Sequence, residues 1–330
     1  MVTTVLKEIT AQELGVTLFH EHLFPLERHS IARPDKTTIK PLIVPPTLQH
    51  IIHHLKTVRR IGLCTIVDVT PIGKRPSPRV FKRIARETGL NIIIATGFYK
   101  EPWIPSWVYS SSVQKIADMF IKEITEGIGN SGVKAGVIKV ATSKNCISNV
   151  EAKILKAAAI AQKQTNVPII THCTLGTMGL EQVQLLSEHG ANPEKIVIGH
   201  IDLNQATDYV KRLAKQRIFL GFDTIGKEFF EYIKYRTLRT GPFRYEKELY
   251  YVPDKRRAQK IAALVKTGLA SQLVLSHDLT MAEIWLNLKT HGKYGYSYIF
   301  TKFSNMLYKL GIAKETVQQI LSENIKKLFE

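Results

Sequence analysis

Eight short runs of β-branched and other apolar residues constrain this chain most. They are "VTLFHEH" (16–22), "CTIVDVT" (64–70), "NIIIATG" (91–97), "AGVIKVA" (135–141), "VPIITHC" (167–173), "KIVIGHID" (195–202), "IFLGFD" (218–223) and "QLVLSHD" (272–278). Such continuous runs suit parallel strands covered on both faces. Between them lie amphipathic stretches. "PTLQHIIHHLKTVRRIG" has helical spacing and ends at Gly62. "SNVEAKILKAAAIAQKQTN" opens on Ser148 with Glu151 three residues later, the pattern of a capping box. "TLGTMGLEQVQLLSEHG" ends at Gly190, a C′ position, and "ETVQQILSENIKKLFE" closes the chain as a helix. Strand then helix, repeated eight times, predicts an α/β chain folded as a TIM (β/α)8 barrel. The competing open doubly wound sheet wants a Gly-rich turn after the first strand, and "FHEHLFP" has no glycine. No linker divides the chain, so residues 1–330 read as one barrel domain.

Composition narrows the function classes. The formal net charge is +18, with 46 Lys and Arg against 28 Asp and Glu. The basic residues are scattered, without a dense tail or an RNA-binding signature. They read as a solvated basic surface, or as a basic rim around a pocket for an anionic substrate. Three cysteines, Cys64, Cys146 and Cys173, lie far apart without a CxxC pair, which argues for a reducing compartment. The N-terminus lacks a signal-peptide apolar core, and no stretch approaches the ~18 apolar residues of a membrane helix. The expectation is a soluble cytoplasmic protein with no membrane and no nucleic-acid partner.

Most of the apolar runs end in a metal-capable or ionisable side chain. These are His20 and His22, His172, His200, Asp223, and His277 with Asp278, while Lys139 sits inside the fourth run. In a barrel those ends converge on one mouth. Side chains i and i+2 of a strand share a face, so His20 and His22 can both point inward while Glu21 points away. Imidazole and carboxylate are ligands for zinc, iron, manganese and cobalt. Lys139, flanked by Val137, Ile138 and Val140, should be partly buried. It reads either as a salt-bridged or snorkelling lysine, or as a neutral amine that takes up carbon dioxide to form a metal-bridging carbamate.

The motifs "HEHL", "GVIKVATS", "THC", "IGHID", "GFDTIG" and "LSHD", in this order, resemble the phosphotriesterase family of the amidohydrolase superfamily, which includes the phosphotriesterase-like lactonases. The resemblance runs from Gly15 to the C-terminal "SENIKKLF". It implies a binuclear metal-dependent hydrolase that opens lactone esters, with possible promiscuous phosphotriesterase (aryldialkylphosphatase) activity. By resemblance, His20, His22 and Asp278 bind the more buried metal, and His172 and His200 the more exposed one. Carbamylated Lys139 and hydroxide bridge two divalent ions, zinc foremost, with cobalt, iron or manganese as other fits. Asp278 is the expected proton carrier. Asp223 and His277 are expected either to relay protons or to be structural hydrogen-bond partners. Tyr99 matches the tyrosine that leans over the metals in the lactonases.

One position departs from that pattern. Homoserine-lactone members carry arginine directly after the strand-seven aspartate, and here Thr224 follows Asp223. The segment after strand seven is rich in Lys227, Lys234, Arg236, Arg239, Arg244 and Lys247, and its "YYVPDKRR" resembles relatives that hydrolyse phosphorylated sugar lactones. A lactonase for phosphorylated or otherwise anionic sugar lactones is therefore the alternative within enzymes. A catalytically inactive, basic nucleic-acid-binding barrel is the alternative of another class. Substrate contacts are expected from Tyr99, Thr224, Arg236, Arg239, Arg244 and Trp285. Trp103 and Trp107, with Ile104, are expected to form an apolar wall or a dimer interface, and the resemblance suggests a homodimer. His50, His53 and His54 share a helix face before strand two and read as solvated surface.

Overall fold

The computed structural model describes residues 1–24, 47–204, 206–227, 252–279 and 291–330. Eight parallel strands form one sheet in chain order. We label them β1 (Thr17–Glu21), β2 (Thr65–Asp68), β3 (Asn91–Gly97), β4 (Val137–Thr142), β5 (Ile169–Cys173), β6 (Ile196–Ile198), β7 (Phe219–Phe222) and β8 (Leu273–Leu275). The outer helices between them are α1 (Leu48–Arg60), α2 (Pro78–Thr88), α3 (Val113–Thr125), α4 (Asn149–Thr165), α5 (Gly179–Glu188), α6 (Thr207–Ala214) and α7 (Asp254–Lys266). This is the expected barrel.

Local sequence explains several of these boundaries. The capping box at the start of α4 is formed: Ser148 Oγ accepts from Glu151 N, and Ser148 N donates to Glu151 Oε2. Asn166 ends the same helix in the left-handed region, and Gly89 does so for α2.

Alternation along the strands sorts the core into two layers. Phe19, Val67, Ile93, Val137, Ile170, Val197 and Val274 fill the barrel interior with Val2, Ile9, Leu14, Ile325, Leu328 and Phe329. Leu18, Ile66, Ile92, Ile138, Ile169, Ile198 and Leu275 face the helices. The seam between β8 and β1 is closed just beyond the sheet. Asp278 N donates to His20 O and His22 N to Leu279 O, each at 3.0 Å. Glu21 completes it by accepting from Ser276 Oγ (2.7 Å), His277 N (2.9 Å) and Leu279 N (2.9 Å). No helix among the described residues is long and apolar enough to cross a membrane.

Candidate metal centre

Two backbone irregularities aim the histidines. On β1, Leu18 pairs with Ile66 and Glu21 with Asp68, so three steps on β1 face two on β2. The extra residue is a β-bulge, which bends a strand and re-aims its side chains. Strict alternation from inward-facing Phe19 would turn His20 out and Glu21 in. The bulge reverses that, and Glu21 goes to the seam as expected. On β6, Val197 faces in and Ile198 out, so His200 would also face out. Its backbone instead adopts φ 60°, ψ 26° and swings the ring inward. A left-handed non-glycine residue costs about 1–2 kcal/mol and persists only where its surroundings hold it. Lys139 and His172 need no such device, because simple alternation from Val137 and Ile170 faces them inward.

The inward groups meet. His20 Nε2 lies 3.5 Å and His22 Nε2 3.1 Å from Asp278 Oδ1. The other ring nitrogens are already engaged: His20 Nδ1 lies 2.6 Å from Asp223 Oδ2, and His22 Nδ1 2.9 Å from Thr70 Oγ1. A hydrogen bond on Nδ1 orients each ring and presents Nε2 as the donor atom. Two metal bonds of about 2.0–2.1 Å at a tetrahedral angle separate their donor atoms by roughly 3.3 Å. The observed separations bracket that value, so His20, His22 and Asp278 fit a divalent ion.

His172 Nδ1 and His200 Nε2 form the second pair, 2.6 Å apart. That is a hydrogen-bond distance, and the pair must open by about 0.7 Å to hold one ion between them. Both histidines present nitrogen donors to one point, which is the right chemistry for such an ion. Among the described residues, His20, His200 and Asp223 also come close enough to suggest a ligand group. We read Asp223 otherwise: its two oxygens lie on the Nδ1 atoms of His20 (2.6 Å) and His200 (2.8 Å), which makes it the link that orients both rings. Asp223 Oδ1 also accepts from His200 N at 2.7 Å.

Lys139 is buried at the centre, with Nζ 2.9 Å from His20 Nε2 and 3.5 Å from Thr171 O. Burial pushes its ammonium down to about 8, against the opposing pull of Asp278 and Asp223. Burial also pushes His20 down to about 3, helped by Lys139, and holds His172 well below its usual range. Both rings are therefore neutral, the form that binds metal. Burial alone would raise Asp223 and Asp278. The histidines around Asp223, and Lys227 with His22 and His20 around Asp278, outweigh it and hold both carboxyls below the usual carboxylate range.

Around this centre the other expected residues divide. Tyr99 OH lies 3.3 Å from His172 Nε2, and its ring packs edge-on against the His172 ring. His277 turns to the seam, with Nδ1 3.0 Å from Glu21 Oε1 and Nε2 accepting from Ile299 N, as a structural partner does. Thr224, expected as a substrate contact, is buried. It follows inward-facing Asp223, faces the other way, and hydrogen-bonds Asp202 and Arg257 in a fully buried network. Arg236, Arg239, Arg244 and Trp285 lie outside the described residues. His54 is no free surface group either: its Nε2 accepts from Tyr296 N at 3.1 Å. Sequence reasoning gave Lys227 no role beyond a basic loop, yet its Nζ donates to Asp278 Oδ2 at 2.7 Å. Its only signal was position, four residues after Asp223. Lys100 is buried close enough to His172 to lower its proton affinity.

Comparison with known proteins places these features. The sequence matches the phosphotriesterase family over residues 1–329. It is 31% identical over 317 residues to the phosphotriesterase homology protein of Escherichia coli (strain K12), covering 96% of this chain and 98% of that one. The crystal structure of the E. coli protein, complexed with phosphate in its active site, superposes with a TM-score of 0.81 over 96% of this chain and 99% of that chain, at 30% identity. An aryldialkylphosphatase of Saccharolobus solfataricus is 30% identical over 97% of this chain and 96% of its own length. A phospho-furanose lactonase of Mycoplasmopsis synoviae is 30% identical over 99% of this chain and 90% of its own.

Proposed function

The chain belongs to the phosphotriesterase family and is a hydrolase, and from that premise we propose that it opens lactone esters at a binuclear metal centre, with side activity on organophosphate triesters. The observation that carries this reading is the convergence of His20, His22 and Asp278 at metal-donor spacing, with the Lys139 amine among them. Two divalent ions held by His20, His22, Asp278, His172 and His200, and joined by a carbamate on Lys139, would supply a hydroxide nucleophile and polarise the substrate carbonyl.

The remaining work falls to the chain's own side chains. Asp223 holds the His20 and His200 rings so that both Nε2 atoms face the centre. Asp278 uses Oδ1 toward the histidines and keeps Oδ2 on Lys227, so its carboxylate is oriented to take a proton from the attacking water and pass it to the leaving alkoxide. Tyr99, whose hydroxyl lies 3.3 Å from His172 Nε2, would contact the substrate beside the second pair. A homodimer belongs to the same proposal, and the partly exposed Trp103 and Trp107 offer apolar surface for it.

A second reading, a lactone carrying phosphate or another anion, is favoured by Lys100 and Lys227. Both are buried at strand ends on different sides of the mouth, Lys100 after β3 and Lys227 after β7. The similarity to a phospho-furanose lactonase supports it. A panel of neutral and phosphorylated lactones, assayed on chelated protein reconstituted with zinc, cobalt, manganese or iron, tests both readings. Turnover that needs metal and favours phosphorylated members selects the second; equal turnover of both kinds selects the first. No metal-dependent turnover of any member would overturn both.

A further inference from the structure

His200 reaches the centre only because its backbone sits in the left-handed region. The turn that follows, 201–204, is gripped on two sides. On one side it presses on the loop after β5. Asn204 Nδ2 donates to Gly176 O at 2.9 Å, and a side chain at Gly176 would meet His200 O at 2.8 Å and Asn204 at 2.9 Å. On the other side stands α7. Arg257 Nε donates to Asp202 Oδ2 at 2.7 Å, and Lys260 Nζ donates to Ile201 O at 3.2 Å and to Asn204 O. Residues 257 and 260 are three apart on a helix and share a face.

Arg257 cannot swing away from this turn. It is fully buried, its Nη1 lies 2.8 Å from Asp254 Oδ1, and its Nη2 donates to Thr224 Oγ1 at 2.8 Å. Asp254 in turn accepts from Gly226 N and from Tyr298 OH. The guanidinium thus joins the turn after β6, the loop after β7, α7 and the C-terminal segment.

We propose that Arg257 and Lys260 form a positioning clamp on the turn 200–204, which holds the strained His200 backbone and so sets the separation of the His172–His200 donor pair. The clamp touches neither substrate nor metal. It rests on the metal-centre reading above, and it explains why two cations on α7 are aimed at the turn that directly follows His200.

The test is a calorimetric titration of chelator-treated, full-length protein with zinc. Three chains are compared: wild type, Lys260→Met and Arg257→Lys. Lys260→Met keeps the stem and removes the ammonium. Arg257→Lys keeps a cation without the fork that spans both carboxylates. Each variant is also made in a His172→Ala background, which retains only the His20–His22–Asp278 ion. The expected result is that wild type binds two ions per chain, and that affinity for one of them falls about tenfold in the variants, the scale seen when outer partners of metal ligands are lost. In the His172→Ala background the same substitutions leave the remaining ion's affinity unchanged. Should Arg257→Lys fail to fold, Lys260→Met alone decides. Two ions at wild-type affinity in the variants, or equal weakening of the remaining ion in the His172→Ala background, would overturn the clamp while leaving the metal centre intact. Fewer than two ions in wild type would overturn the metal centre and the clamp with it.

Discussion

The Lys139 amine lies 2.9 Å from His20 Nε2, buried and with neutral imidazoles around it. Burial has pushed it down to about 8. Its neutral fraction therefore rises as pH climbs through 8, whereas an ordinary lysine is under about 1% neutral there. At fixed dissolved carbon dioxide, carbamylation of metal-free protein should be slow at pH 6, increase to pH 8 and level off above it. Carbon-13 NMR with labelled bicarbonate checks this. A signal absent at every pH, or unchanged in Lys139→Met, would refute the carbamate.

Asp223→Asn should weaken metal binding about 10- to 100-fold. The carboxylate accepts from both His20 Nδ1 and His200 Nδ1, and an amide can accept from only one of them. Metal content after dialysis reads this directly, and the fold should survive, because the substitution preserves shape.

Glu21→Gln should destabilise the barrel by about 2–3 kcal/mol with little change in metal affinity. The carboxylate takes hydrogen bonds from Ser276 Oγ, His277 N and Leu279 N across the β1–β8 seam. A glutamine amide would turn a donor toward donors. Chemical denaturation with and without zinc separates the two effects.

Lys227→Met should reduce kcat/KM for a phosphorylated lactone by about 10- to 100-fold, the scale of one lost charge-assisted hydrogen bond. A neutral lactone should lose less, through the looser Asp278 alone. Equal losses for both would assign Lys227 to Asp278 and not to an anion.

Much of this was legible in the chain. Eight continuous apolar runs mark strands buried on both faces, because only such strands need no polar face. Ser148 and Glu151 mark a helix start, because a capping box is a local interaction. His20, His22, His200 and Asp278 were legible as candidate ligands from residue type at strand ends and from family resemblance. The role of Lys227 was not legible, because the Asp278 carboxylate it holds is 51 residues away. The surroundings of Thr224 were not legible, because its partners Asp202 and Arg257 come from other parts of the chain.

The sequence by itself determined the period of the barrel and the chemical kind of each group at its mouth, since both follow from residue type and local spacing. Only the tertiary structure decided which way those groups face. The bulge on β1 turns His20 inward and sends Glu21 to the seam, and the left-handed turn at His200 brings the fourth imidazole to the centre. Neither has a local cause in the residues that adopt it. A bulge needs a neighbouring strand one residue shorter, and a strained histidine needs Gly176, Asp223 and α7 closed around it.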